Sequence, residues 1–266
     1  MRFSVYSKKA SLVGAFFVCA CMALPAWAFC PAPRDARLVE VARVVDGDTL
    51  RLADGRSVRM IGLNTPEQGG KGKQAEAFAQ AATRELQKRV RASANQVMLE
   101  AGDDPRDRYG RLLAHVYDRR GDNLEAALLA EGLGYVVAVA PNTRLLDCHL
   151  VAEKAARDQR KGLWRKPPIQ SVADVSQGGF ALLSGRVKSV DRNRGGLWLD
   201  MGHSLVLNVP LQQASAFTEY HPGSLVGREV EVRGWVVDRA GRTQSSGQAR
   251  WSLRITHPSM LAIRRD

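Results

Sequence analysis

The segment from Val44 to Glu67, VVDGDTLRLADGRSVRMIGLNTPE, carries three acidic residues near its ends and Arg59 between them. Asp46, Asp48 and Glu67 offer the oxygen ligands that hard divalent cations prefer. Arg59 offers the planar fork of donors that suits a phosphate group. Together these residue types indicate metal-assisted hydrolysis of a phosphodiester. The alternative is a surface hairpin with ordinary turn residues, because DGDT and ADG both favour turns.

The elements that would position these side chains can be read from the apolar pattern around them. Apolar residues partly alternate over 49–63, with Asp54-Gly55 in the middle, which predicts a β-hairpin. A hairpin returns the chain, so we expect the Asp48 end and the Glu67 end to lie close together. The carboxylates and the guanidinium would then gather at one end of a small sheet.

A second motif, DRYGR at 107–111, makes the first more specific. The order DGDT, then R-x4-[DN]-T-P-E, then D-x-Y-G-R resembles the staphylococcal nuclease (thermonuclease) family over roughly residues 36–164. The resemblance implies a mainly β fold with helices (α+β), a five-stranded OB-fold barrel with three helices. It also implies a calcium-dependent endonuclease that cleaves DNA and RNA with little preference and leaves 3′-phosphate ends.

The resemblance assigns catalytic roles to three residues. Arg59 and Arg111 match the two arginines that grip the phosphate, and Glu67 matches the carboxylate that orients the attacking water. Alternatives are open for some of them: Arg59 could be a strand residue paired with Glu100 or Asp46.

The resemblance also implies a calcium site and two supporting residues. Asp48 matches the principal ligand, Thr65 matches the position whose backbone carbonyl completes the site, and Asn64 falls among the ligands. Asp46 matches the acidic residue behind Asp48, and Tyr109 matches the tyrosine beside the phosphate. Alternatively, Asp48 could serve only to form the turn, and Tyr109 could be a core residue and not a phosphate contact.

Two departures from the family pattern bear on activity. Asn64 stands where the best-known members carry Asp, so it offers a neutral oxygen and not an anion. The segment 134–141 is one residue shorter and lacks two base-stacking tyrosines before its proline. A catalytically weakened nucleic-acid-binding envelope protein is therefore the alternative function.

The N-terminus has the features of a secretory signal. Arg2, Lys8 and Lys9 precede an apolar run over 10–24, and a small-x-small site follows, ending at Ala28. We expect a signal peptide at 1–28 and a periplasmic or secreted protein without stable membrane insertion after cleavage. An uncleaved N-terminal anchor is the alternative.

Cleavage would leave Cys30 and Cys148 as the remaining cysteines, a candidate disulfide in an exported chain. Two unpaired thiols are the alternative. The net charge of +12 would fall to +9 with the loss of three basic signal residues, and the sequence pI is about 10.0. Such a charge suits a polyanionic partner, but also adhesion to an anionic surface.

Two domains are expected, a nuclease-like domain at 29–166 and a separable OB-like domain at 180–266, joined by a linker at 167–179. In the first, the patterns predict strands at 38–44, 49–52, 57–63, 96–100 and 112–117, and helices at 74–90, 123–131 and 147–161, the second of them capped by Asp122 or Asn123. In the second they predict strands at 181–190, 196–201, 204–209, 228–237 and 250–256, and a short helix at 211–220. Trp198, Trp235 and Trp251 could stack on bases or lie in the core.

Overall fold

The computed structural model describes residues 30, 31, 33, 35–70, 72, 74–218, 221–240 and 248–264. The predicted signal peptide at 1–28 lies outside the described residues. Across the residues that are described, none of the helices is both long and apolar enough to span a bilayer.

The first part of the chain forms a closed five-stranded barrel. Its elements in chain order are β1 (Arg37–Val44), β2 (Thr49–Leu52), β3 (Ser57–Met60), β4 (Leu63–Asn64), α1 (Ala79–Ala92), β5 (Gln96–Arg106), β6 (Leu112–Tyr117), α2 (Leu124–Ala130), β7 (Tyr135–Val136) and α3 (Leu146–Asp158). The barrel order is β1-β2-β3-β6-β5, closed by pairing of β5 with β1. Among these five described strands, β3 and β6 pair in parallel and the other neighbours pair antiparallel. This is the expected OB-type barrel with three helices.

Several predicted boundaries are corrected by local geometry. The helix predicted from residue 74 begins at Ala79, because Phe78 has a left-handed backbone with φ of 68°. The strand predicted over 57–63 ends at Met60. Gly62, with φ of 81°, then redirects the chain into β4, which pairs with β7. The predicted cap of α2 is confirmed, since the Asn123 side chain accepts a hydrogen bond from the Ala126 N–H at 2.8 Å.

The second part of the chain forms another sheet, called the second barrel below, in which five successive strands repeat the order of the first barrel. Its elements are β8 (Ile169–Ser171), β9 (Gly179–Arg186), β10 (Ser189–Asn193), β11 (Gly196–Asp200), β12 (Leu205–Val209), α4 (Leu211–Ala214), β13 (Glu229–Asp238), β14 (Trp251–Arg254) and β15 (Leu261–Ile263). The sheet runs β10-β11-β12-β14-β13-β9-β8, and β12 pairs with β14 in parallel. The strand predicted over 181–190 is divided between β9 and β10, and the helix predicted over 211–220 is one turn.

The two barrels contact each other. The segment 167–179, predicted as a linker, contains β8, which adds to the second sheet by pairing Ile169 with Leu182. An apolar cluster joins Tyr135 and Trp164 of the first part to Leu182 and Phe180 of the second. The predicted linker therefore includes a strand of the second sheet.

The predicted disulfide is confirmed. Cys30 and Cys148 are bonded, with 5.2 Å between their Cα atoms. The bond joins residues 118 positions apart and ties the start of the described chain to α3.

Candidate active site

Asp48 is a buried carboxylate with every oxygen engaged. It follows the β1–β2 turn and is only 6% exposed. Its Oδ2 accepts hydrogen bonds from the Thr65 N–H at 2.8 Å and the Thr65 hydroxyl at 3.1 Å. Its Oδ1 accepts one from the Thr49 hydroxyl at 3.1 Å. The carboxylate therefore ties the β1–β2 turn to the residue that follows β4, as the predicted hairpin geometry requires.

Gly47 permits this close approach. A Cβ built on Gly47 would lie 2.7 Å from the Ala82 Cβ of α1 and 2.7 Å from the Thr65 hydroxyl oxygen. Any side chain there would push α1 or Thr65 away. The glycine of the DGDT motif thus serves packing between the turn, the helix and the Asp48 partner.

Arg59 spans the site from one side to the other. Its Nη1 lies 3.2 Å from Asp48 Oδ1 and donates to the backbone carbonyl of Leu63 at 2.7 Å. Its Nη2 donates to Asn64 Oδ1 at 3.1 Å. The acidic partner of Arg59 is thus Asp48. The alternative pairings considered for it, with Glu100 or Asp46, are not among its contacts.

Asp46 lies behind Asp48, and its Oδ1 accepts a hydrogen bond from the Asp48 N–H at 3.0 Å. Burial and then the negative charge of Asp48 raise the pKa of Asp46 to about 6. Two carboxylates that repel each other in a half-buried place are a donor set suited to a hard divalent cation, whose charge would offset the repulsion. The residues present therefore fit such an ion.

Glu67 is exposed, and its backbone is anchored. Its N–H donates to a carboxylate oxygen of Glu76 at 3.0 Å, and its carbonyl accepts from the Glu76 N–H at 2.9 Å. Within the described residues, its own carboxylate has no hydrogen bond or ion pair. The structure therefore fixes the position of its backbone and leaves its carboxylate accessible to solvent and substrate.

Arg111 lies immediately before β6, whose first residue pairs with Val58 of β3. Its Nε lies 2.6 Å from Asp107 Oδ2, and its N–H donates to the other Asp107 oxygen at 3.0 Å. Burial alone would raise the pKa of Asp107, but hydrogen bonds from Arg111 and its neighbours lower it below the usual value. Asp107 is a site residue that the sequence interpretation did not assign; its spacing of four from Arg111 was the signal.

Tyr109 is a surface residue, 69% exposed, so the core interpretation of it is wrong. The guanidinium of Arg108 lies 4.8 Å from its ring centre and that of Arg111 lies 5.7 Å away. Direct contacts thus join seven of the eight predicted residues into two groups, and Glu67 belongs to neither. One is centred on Asp48, with Asp46, Arg59, Asn64 and Thr65, and the other is the DRYGR loop with Tyr109 and Arg111.

Comparison with known proteins relates the first barrel to a described family. The family model of the staphylococcal nuclease homologue matches residues 57–166. The chain is 33% identical over 130 residues to the thermonuclease of Staphylococcus intermedius, covering 47% of this chain and 75% of the relative. The chain belongs to the staphylococcal nuclease family. It is also 33% identical over 132 residues to endonuclease YncB of Bacillus subtilis, but spans only 62% of that relative, and 44% of the prophage-derived endonuclease YokF.

The family match ends where the second barrel begins. The matched region of the nuclease family stops at residue 166, so β8 to β15 form an addition to the nuclease fold of this chain. Its three tryptophans differ in exposure. Trp251 is buried beneath Arg250, Trp198 is half-buried, and Trp235 is 41% exposed and contacts Phe180. The core interpretation therefore holds for Trp251.

Proposed function

We propose that this member of the staphylococcal nuclease family is a calcium-dependent endonuclease. It hydrolyses DNA and RNA without sugar specificity and leaves 3′-phosphate products. The observation that carries the proposal is the contact of the buried Asp48 carboxylate with Arg59, in a chain related to proteins named endonuclease and thermonuclease.

The chemistry follows from the charge of the substrate. Water attacks the phosphorus atom, the P–O5′ bond breaks, and the phosphate gains negative charge in the transition state. Arg59 and Arg111 would donate to the phosphate oxygens, where that charge develops. The exposed carboxylate of Glu67 would orient the water and accept its proton.

Asp48, Asn64 and Thr65 would hold the calcium ion, with Asp46 behind Asp48. Bound there, the ion would supply Lewis-acid stabilisation of the phosphate and make water easier to deprotonate. The hydrogen bond from the Asp48 N–H to Asp46 Oδ1 at 3.0 Å supports this assignment, because it places a second carboxylate directly behind the proposed ligand.

We further propose that the protein is exported, with cleavage after Ala28. The disulfide between Cys30 and Cys148 supports export, because such bonds persist in oxidising compartments. An N-terminally anchored form remains the alternative.

Hydrolysis assays test the proposal. Plasmid DNA and a structured RNA are incubated with the protein in calcium and in a calcium chelator, and product ends are identified by their sensitivity to a 3′-phosphatase. We expect cleavage of both substrates only with calcium, 3′-phosphate ends, and no cleavage by Asp48→Ala. Nucleic-acid binding without cleavage at any calcium concentration would instead support the catalytically weakened envelope protein. Asn64 favours that alternative, because its amide is neutral and its oxygen is engaged by Arg59.

A further inference from the structure

A two-stranded ribbon, β4 and β7, supports one side of the candidate site. Leu63 pairs with Val136 and Asn64 pairs with Tyr135, and the Val137 N–H donates to the Gly62 carbonyl at 3.1 Å. Two strands of two residues each are not stable by themselves. The position of the ribbon therefore depends on what holds its two edges.

One edge of the ribbon is held by Arg59. The Leu63 carbonyl accepts a hydrogen bond from Arg59 Nη1 at 2.7 Å, and the same nitrogen contacts Asp48 at 3.2 Å. Because one guanidinium makes both contacts and also binds Asn64, a shift of β4 would move the guanidinium relative to Asp48.

The opposite edge is held by a buried ion pair that the second barrel completes. The Val136 N–H donates to Glu153 Oε1 at 2.8 Å, and the Val136 carbonyl accepts from Arg233 Nη1 at 3.3 Å. Arg233 Nη1 also lies 2.9 and 2.8 Å from the two Glu153 oxygens. The side chains of Arg233 and Glu153 are only 11% and 3% exposed. Glu153 has a second cationic partner, since Arg157 Nε lies 3.3 Å from its Oε2. Removing Arg233 would leave Glu153 with Arg157 alone and would remove the donor to the Val136 carbonyl.

Other contacts from the second barrel reach the same short segment. The ring of Tyr135 lies 5.4 Å from Phe180 of β9, measured between centres. The Thr256 hydroxyl, after β14, donates to the Ala138 carbonyl at 2.9 Å. The second barrel therefore contacts β7 and the residues after it from Tyr135 to Ala138.

We propose that the second barrel positions the catalytic arginine of the first, and that Arg233 is the positioning residue. The path runs from Arg233 to Val136, across the ribbon to Leu63, and from Leu63 to Arg59. This inference rests on the proposed nuclease function. A displacement of about 1 Å at a reacting group can lower a rate by about a hundredfold, so a loosened ribbon should slow the reaction.

The test compares Arg233→Met with Arg254→Met in the full chain. Arg254 is an exposed arginine of β14 in the same barrel, so both variants lose one positive charge. At saturating substrate and well below either melting temperature, we expect kcat to fall about tenfold for Arg233→Met and less for Arg233→Lys, with KM changed less than about threefold. Arg254→Met should stay within about twofold of the wild type. In an Arg59→Ala background, Arg233→Met should lower kcat no further.

A second measurement reports on the ribbon without using activity. Amide hydrogen exchange over 62–65 and 135–138 should be faster in Arg233→Met than in Arg254→Met, with β2 unchanged. If Arg233→Met fails to fold, Thr256→Val replaces it. This variant keeps the buried ion pair and removes only the hydrogen bond to the Ala138 carbonyl. It should change kcat and exchange in the same direction but by less.

The outcomes separate the two proposals. Equal kcat for Arg233→Met and Arg254→Met in an active wild-type background, or unchanged exchange in the ribbon, would overturn the positioning role alone. A wild-type protein that hydrolyses no nucleic acid would overturn the proposed function first, and the positioning role with it.

Discussion

The two barrels share one strand order but differ in what they bury. In both, three antiparallel strands precede a parallel pair, β3 with β6 and β12 with β14. In the described parts of the two barrels, every buried polar or charged side chain belongs to the first: Asp48, Thr49, Asn64, Thr65, Ser93, His115, Asp118, Asn123, Glu125, His149 and Glu153. Buried polar groups cost free energy unless they are paired, and those of the site, Asp48, Asn64 and Thr65, are paired with one another or with Arg59.

Corresponding loops show the same contrast. The first barrel places Gly47 and Asp48 between β1 and β2, whereas the second connects β10 to β11 through Arg194 and Gly195. The second turn therefore has no carboxylate that could hold a cation. The same barrel topology thus supports a site in one half and not in the other, because the site depends on particular side chains.

Arginines at matching positions provide the sharpest test of this contrast. Arg111 and Arg250 each precede the strand that pairs in parallel, and each binds an aspartate, Asp107 or Asp238. Arg111→Ala should lower kcat/KM about 10²–10³-fold, because a donor to the transition state is lost. Arg250→Ala should leave it within about twofold. Similar losses in both variants, measured on a DNA substrate, would show that the second barrel carries part of the site.

The disulfide strengthens the first barrel alone, since residues 167–266 contain no cysteine. Replacing Cys30 and Cys148 by serine should lower the free energy of unfolding by about 4–5 kcal/mol, because the denatured chain regains the freedom of a long loop. Urea denaturation of the double variant and the wild type measures this difference. An unchanged urea midpoint of unfolding would show that the disulfide does not alter the free-energy difference between the folded and the denatured protein.

The buried acid Glu125 should make stability depend on pH. Burial raises its pKa from 4.5 to about 8. Between these values the folded protein holds a proton that the unfolded chain has released, so this contribution is present below about pH 4.5 and is lost as the pH rises to about 8. Glu125→Gln has no such proton to release. The free energy of unfolding of this variant minus that of the wild type should therefore increase from pH 5 to pH 8.5, on the order of 2–4 kcal/mol. Urea unfolding at the two pH values measures it; a gain that does not grow with pH would contradict the assignment.

The smallest expected effect concerns Asn64. Calcium affinity rises with the number of anionic ligands, so Asn64→Asp should lower the calcium concentration for half-maximal activity, by about threefold. The new carboxylate would also face Arg59, which now donates to the amide oxygen, and part of the gain would be offset there. Superimposable calcium titrations of the two proteins would show that position 64 does not contact the ion. Asn208, in the parallel-paired strand of the second barrel, is the control position, and Asn208→Asp should leave the titration unchanged.

Much of the first barrel could be predicted from local pattern. The β2–β3 hairpin, the Asn123 cap and the disulfide each depend on residues near in sequence or on a small number of candidates. The extent of α1 could not be predicted, because the left-handed backbone of Phe78 depends on its surroundings and not on its own preference.

Residue type and spacing in DGDT, RMIGLNTPE and DRYGR restrict the possible roles, so the residues that could do the chemistry can be named without a structure. Their partners, in contrast, depend on the tertiary fold. Arg59 lies between Asp48 and Asn64, and Arg233 reaches Glu153 across 80 residues and two barrels. Such contacts depend on how one sheet is placed against another. That placement is set by the packing of Tyr135, Trp164, Phe180 and Leu182 together, and no single segment of sequence specifies it.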